Sequence, residues 1–128
     1  MQKVVLDADI IIDYTRNADL ALEILLEKTN QREIKLFTPS VVISELMAGR
    51  ETREAEKLEK LRRFFKKVEF VPLTYELAEQ TGFLLRDQRN LKLADAIVAA
   101  TCLFLNAKLA TRNIKDFEGI KGLKMYRN

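Results

Sequence analysis

The feature that most constrains this chain is alternation: short, strand-like apolar runs recur, each separated from the next by longer segments of helical periodicity. Residues 3–7 read as a buried strand that ends on Asp7, and Ile10, Ile11 and Ile12 continue as a first helical turn. Asn17 is placed to cap a helix through Lys28 with Leu20, Ile24 and Leu25 on one face. Residues 33–38 form a second strand, halted by Pro39, after which Ser40 caps a helix running through Ala48 with Gly49 as its stop. Residues 52–66 are a charged amphipathic helix edged by Leu58, Leu61, Phe64 and Phe65. A third strand at 68–71 closes on Pro72, and Thr74 caps a helix through about Asp87. A largely apolar helix covers 93–106, a fourth strand 108–111, a turn or short helix 113–118, and a fifth strand 123–126.

This order predicts an α/β fold: a three-layer α/β/α arrangement around a parallel sheet of four to five strands, in one domain spanning 1–128. In such sheets ligands gather outside the carboxyl ends of the strands, where the winding reverses. The chemistry is therefore expected from what those ends carry.

Composition narrows that chemistry by what it lacks. The 128 residues include no histidine, which removes Ser-His-Asp, Cys-His and His-based acid–base mechanisms together. A single cysteine, Cys102, forms no internal disulfide and, in apolar surroundings, reads as a core thiol. Structural zinc sites, which need Cys and His in number, are excluded as well. No apolar run approaches the roughly 20 residues of a membrane span, and the start carries no secretory pattern. A cytoplasmic protein without membrane contact is expected. Charge is uneven: residues 50–67 hold eight Lys/Arg against four Glu, and 108–128 hold six against two Asp/Glu. Basic blocks beside acidic ones suit an anionic polymer, although a solvated Lys/Glu helix face would look the same over 50–67.

Any enzyme here must work through carboxylates. Asp7 ends the first strand, and Asp116 follows the fourth, close behind Thr111 and Asn113. Glu45 shares a helix face with Val41, Val42, Ala48 and Gly49, and Asp95 with Leu91, Val98 and Ala99. A carboxylate on an apolar stripe is costly to ionise without a partner. Each acid also has an ordinary reading: Asp7 as a cap, Asp95 as a helix-start residue facing the dipole, Glu45 as a solvated side chain. As a set converging on one sheet edge they fit those readings poorly. Mutually repelling carboxylates call for a cation, and oxygen-only ligands select Mg²⁺ or Mn²⁺.

The same residues carry a family resemblance. Residues 5–13, from Val5 through Asp7 to Asp13, resemble the opening strand and turn of PIN domains; Ser44-Glu45-Leu46 resembles their glutamate helix. Residues 93–100 around Asp95 resemble the central aspartate helix, and residues 110–117 the closing motif. The four motifs fall in order across nearly the whole chain, similar to VapC-type toxins of toxin–antitoxin pairs. Position 9 departs from the pattern, with Asp9 where a small polar residue is usual, and the last acidic function falls at Asn113 or at Asp116.

The resemblance implies a metal-dependent endoribonuclease that hydrolyses RNA with one or two Mg²⁺ or Mn²⁺ ions. Asp7 and Asp95 would be central ligands, with Glu45 and Asp116 in support. Thr111 would position a water or ligand, and Arg86, Arg89, Arg112 and Lys115 would neutralise the RNA backbone. It further implies homodimerisation and a cognate antitoxin. An antitoxin helix could dock along Leu58, Leu61 and Phe65, unless that edge simply packs on the sheet.

Two other readings compete. Asp7-Ala8-Asp9 resembles the nucleophile motif of haloacid-dehalogenase-type phosphatases. Ile11 stands where those enzymes carry Thr or Val, and their paired late acidic motif is missing. The second is a catalytically inactive PIN scaffold that binds RNA or a protein.

Overall fold

The computed structural model describes residues 1–16 and 20–127. Four strands, β1 (Gln2–Leu6), β2 (Ile34–Pro39), β3 (Glu69–Val71) and β4 (Lys108–Ala110), form a wholly parallel sheet in the order β3-β2-β1-β4. Val4, Val5 and Leu6 are all buried, as are Leu36, Phe37 and Thr38. Because successive side chains on a strand point to opposite faces, unbroken burial means that both faces of the sheet are covered. The three-layer expectation holds.

Among the described residues six α-helices provide the cover: α1 (Ala8–Arg16), α2 (Leu20–Asn30), α3 (Ser40–Met47), α4 (Ala55–Phe65), α5 (Tyr75–Asp87) and α6 (Leu93–Leu105). No helix among the described residues is long and apolar enough to cross a membrane. Helix α6 forms the centre of the core, with every residue from Ala96 to Cys102 buried. Its one polar side chain in that stretch, Thr101, returns its hydroxyl to the Ile97 carbonyl at 2.7 Å, so no unmet donor is buried there. Cys102 is buried and free, and burial pushes its thiol up to about 12. Thr74 caps α5 as expected, its hydroxyl accepting from the Leu77 N–H at 3.3 Å.

Elsewhere local structure departs from expectation. The expected Asn17 cap lies outside the described residues. In α2 the buried stripe runs through Leu22 and Leu25, while Leu20 and Ile24 are exposed, so the face seated against β2 is rotated from the expected one. Pro39 takes the cap position of α3, at φ −65° and ψ 148°, with no side-chain cap. Proline's fixed φ already suits that extended geometry, so Ser40 falls inside the first turn. Gly49 does not end α3 in a left-handed turn. It sits at φ −74° and ψ 160°, where it begins a short 3-10 helix, Arg50–Arg53, and that turn delays α4 to Ala55. The fifth strand reduces to one bridge, Leu109 to Met125, closed by Leu109 N–H to Lys124 O at 2.9 Å and Tyr126 N–H to Leu109 O at 2.8 Å. An edge strand of three residues offers too little ladder for more.

The apolar edge of α4 divides: Leu61 and Phe64 pack into the core, whereas Leu58 and Phe65 are half-buried. Leu61 and Phe64 are each 2% exposed, with the Phe64 ring 5.7 Å from Tyr14 and 5.6 Å from Phe65. Leu61 is a core residue and is not available to a docking helix.

Candidate active site

The sheet order fixes where a site can form. The chain moves from β1 outward to β2 and β3, then returns to lay β4 on the other side of β1. The winding therefore reverses between the carboxyl ends of β1 and β4, the position where α/β sheets leave a crevice. Asp7 emerges from β1 at that point, its peptide N–H donating to Ala110 O of β4 at 3.0 Å.

Asp7 is 7% exposed. Its Oδ1 accepts from Ala8 N–H at 2.9 Å and its Oδ2 from the Thr111 hydroxyl at 2.9 Å. Burial, then the charge of Asp9, push the carboxyl up to about 6; the two hydrogen bonds pull against that shift and Asp95 adds to it.

Asp9, in the first turn of α1, shares the same threonine. Its Oδ2 lies 3.2 Å from Thr111 Oγ1 and accepts from Arg112 N–H at 3.0 Å, while Asn113 N–H donates to Thr111 Oγ1 at 3.1 Å. A hydroxyl carries one hydrogen, so Thr111 cannot fully satisfy both carboxylates. The other oxygen of Asp9, Oδ1, is buried and has no hydrogen-bond partner. An anionic oxygen withdrawn from water and left unpaired is costly.

The remaining acids arrive from three further elements. Asp95 stands in the first turn of α6, half-buried, and is raised by burial, then by Asp116, with Asp9 adding and Lys92 opposing. Glu45, on α3, is an exposed residue whose carboxyl is nonetheless raised by the desolvation it does meet and then by Asp95. Asp116 belongs to the 3-10 turn Ile114–Phe117. Asp7, Glu45 and Asp95 are thus each raised in part by another acid: Asp7 by Asp9 and Asp95, Glu45 by Asp95, and Asp95 by Asp116 and Asp9. Even so, among the described residues no three acidic or cysteine side chains are gathered so that they could hold a metal ion as they stand.

The expected basic residues divide. Arg89 and Lys115 line a cleft of about 360 Å³ that also holds Asp116. Arg112 is beside the acids through its backbone N–H, and its guanidinium pairs with Asp13 at 2.7 Å. Arg86 is engaged on α5 instead, bound to Asp87 at 2.9 and 3.2 Å and lying over the Phe83 ring. Asn113 contributes a backbone N–H to Thr111, whereas Asp116 acts on Asp95 by charge.

Asp9 is the site residue missing from the sequence-derived set. Its signal was present in the Asp7-x-Asp9 spacing, since two acids across a strand-to-helix junction are held close by the turn itself.

The PIN domain profile matches residues 4–123. Along 116 residues the chain is 32% identical to Ribonuclease VapC19 of Mycobacterium tuberculosis, covering 88% of this chain and 90% of that protein. In fold it resembles a chain of DNA-bound VapBC from Salmonella typhimurium, with TM-score 0.83, 20% identity and 98% of both chains covered. It is similarly close to a chain of VapBC2 from Rickettsia felis bound to a promoter DNA fragment, with TM-score 0.82, 20% identity and 98% of both chains covered.

Proposed function

Since the chain belongs to the PIN-domain family and is of the VapC type along most of its length, we propose that it is a divalent-metal-dependent endoribonuclease, the toxin of a toxin–antitoxin pair. Residues 1–128 would act as one catalytic domain in the cytoplasm, as a homodimer, restrained by a cognate antitoxin. The observation that carries this reading is that Asp7, at the reversal point of the sheet, and Asp95 and Glu45 are each raised by burial and by a neighbouring acid, beside a buried, unpaired oxygen on Asp9.

The donor chemistry fits a hard cation. Every candidate ligand is an oxygen, histidine is absent, and repulsion among the acids is what Mg²⁺ or Mn²⁺ would relieve. Asp7 and Asp95 would hold the ion, with Glu45 and Asp116 acting directly or through water. When bound, the ion would supply Lewis acidity, lowering the pKa of a water and neutralising charge on the leaving oxygen.

The chain's own side chains do the rest. Ala8 N–H and the Thr111 hydroxyl fix both oxygens of Asp7, favouring its ionised form against burial. Asn113 N–H in turn orients Thr111. Arg89, Arg112 and Lys115 would neutralise the phosphodiester backbone of RNA and hold it in line with the acids; Arg86 could join them only by releasing Asp87.

Incubation with mixed tRNA and rRNA in Mg²⁺, in Mn²⁺ and in excess EDTA tests the proposal. Cleavage is expected with either ion and not in EDTA. RNA binding without cleavage in any ion would make the protein an inactive PIN scaffold.

A further inference from the structure

The cleft beside Asp116 has the features of a second, separate binding element. One wall is the link between α5 and α6, whose first turn carries Asp95; the other is the 3-10 turn carrying Asp116 and the loop that follows it. Gln88 Nε2 donates to Gly119 O across the gap at 3.0 Å. Each wall is also closed on itself, by Leu91 N–H to Gln88 O at 3.2 Å and by Asp116 N–H to Asn113 O at 3.0 Å. Gly119 holds a left-handed φ of 86°, which fixes the loop where a residue with a Cβ would be strained. Ile120 is buried in the core and Leu91 packs against it. The cleft is therefore preformed, about 360 Å³ in volume, at the small end of the roughly 300–1,000 Å³ typical of ligand sites.

Its lining is chemically mixed. Arg89 and Lys115 have no ion-pair partner among the described residues, whereas Arg16, Arg86 and Arg112 are each paired. The lining also carries Asp116 and Glu118, so its formal charge is balanced, but neither cation is ion-paired to them and both are open to an anionic group. A phosphate alone would be poorly served by the rest of the wall: half-buried Leu91 offers an apolar face, Asn90 an exposed amide, and Glu118 an exposed carboxylate. The Leu91 face, the amide, the carboxylate and the cations together match the parts of a nucleotide: base face, base edge and phosphate. Bases in single-stranded RNA are read in this way, by packing on their faces and hydrogen bonds to their edges. A carboxylate accepts from exocyclic amines, which adenine, cytosine and guanine carry and uracil lacks.

We infer that this cleft seats one nucleotide of the RNA, flanking the bond to be cut, with Arg89 and Lys115 on its phosphate and Asn90 and Glu118 selecting an amino-bearing base. The inference rests on the ribonuclease reading for its substrate, and Asp116, shared by the cleft wall and the acid cluster, joins the two.

Two measurements test it. In the first, AMP, CMP, GMP, UMP and inorganic phosphate are titrated separately into the wild-type protein in EDTA, followed by backbone amide shifts. Amino-bearing nucleotides should move Asn90 and Gly119, with UMP and phosphate weaker by about tenfold. In the second, cleavage sites are sequenced for wild type, Asn90→Ala and Glu118→Gln. Wild type should favour an amino-bearing base at one position beside the cut. Both variants should flatten that preference, losing about tenfold in kcat/KM on the preferred RNA while still cutting uracil-bearing sites. Nucleotide binding without cleavage of any RNA would end the ribonuclease reading and leave the cleft standing. Cleavage whose base preference neither variant alters, with no nucleotide-induced shifts at Asn90 or Gly119, would overturn the cleft and spare the enzyme. Equal shifts from phosphate and from all four nucleotides would overturn base selection.

Discussion

Strands β1 and β2 lie side by side, run parallel and are buried through their cores, yet their carboxyl ends do opposite things. β2 ends on Thr38 and Pro39, and the chain passes directly into α3. β1 ends beside Asp7, at the point where the sheet reverses. Each end leaves one buried oxygen unpaired: Thr38 Oγ1 at the first, Asp9 Oδ1 at the second. A neutral hydroxyl without a partner costs about 1–3 kcal/mol and is tolerable; an ionised carboxylate in the same position costs more and invites a counter-charge. Burial pattern builds the scaffold at both ends, and charge is what sets the two ends apart.

The sharpest way to break that contrast is to neutralise each end in turn. Asp7→Asn keeps the shape and removes the charge, so RNA cleavage should fall by at least about a thousandfold, with an unchanged circular dichroism spectrum. Thr38→Val removes the unpaired hydroxyl from β2. It should leave cleavage intact and raise stability in urea by about 1 kcal/mol. Full activity in Asp7→Asn would end its assignment.

A second effect is smaller and turns on pH. The folded carboxyl of Asp7 lies at about 6, above its ordinary 3.8, so the native state holds this proton more tightly than the unfolded chain. Stability contributed by Asp7 is therefore lost as pH rises from about 4 to 6, and the penalty is fully expressed above 6. In EDTA at pH 8, Asp7→Asn should be more stable than wild type by up to about 3 kcal/mol, with the gap closing toward pH 4. A gap that does not change with pH would mean that Asp7 is not strained by burial and its neighbours.

The smallest expected effect concerns Asp95. Removing its charge should raise the melting temperature in EDTA, offset in part by about 0.3–1 kcal/mol of lost helix-dipole interaction. Mn²⁺ at ten times its dissociation constant should stabilise wild type by about 1.4 kcal/mol and Asp95→Asn by much less. Equal responses would remove Asp95 from the ligand set.

Much of this molecule is legible in its sequence, because burial on both faces of a parallel strand writes itself as unbroken apolar runs such as Val4-Val5-Leu6. Thr74 was readable as a cap for the same reason, since its reach to the third N–H is local. What escaped depends on contacts between distant segments. The tail at 123–126 carries strand-like residues, but its partner β4 is only three residues long, a limit set by the fold around it. The face of α2 is decided by β2, and the edge of α4 by Tyr14 and the core. At the site, Asp7, Glu45, Asp95 and Asp116 stood out as acids in motifs or on apolar faces. Asp9 is visible there too, as the second acid of Asp7-Ala8-Asp9, but its part in the site is not, because only the folded chain shows that Thr111, one hundred and two residues on, must serve two carboxylates with one hydrogen.

The position of Cys102 has a practical consequence. The chain's one thiol ends the buried run of α6, its proton held to about pH 12. Alkylating and oxidising reagents act on the exposed thiolate, so in the native state they find nothing to attack. Reaction must wait for an opening that uncovers Cys102 beneath the cleft between the chain's start and β4, and its rate then counts those openings. The protein therefore carries its own clock for local opening around the end of α6, readable without any added label.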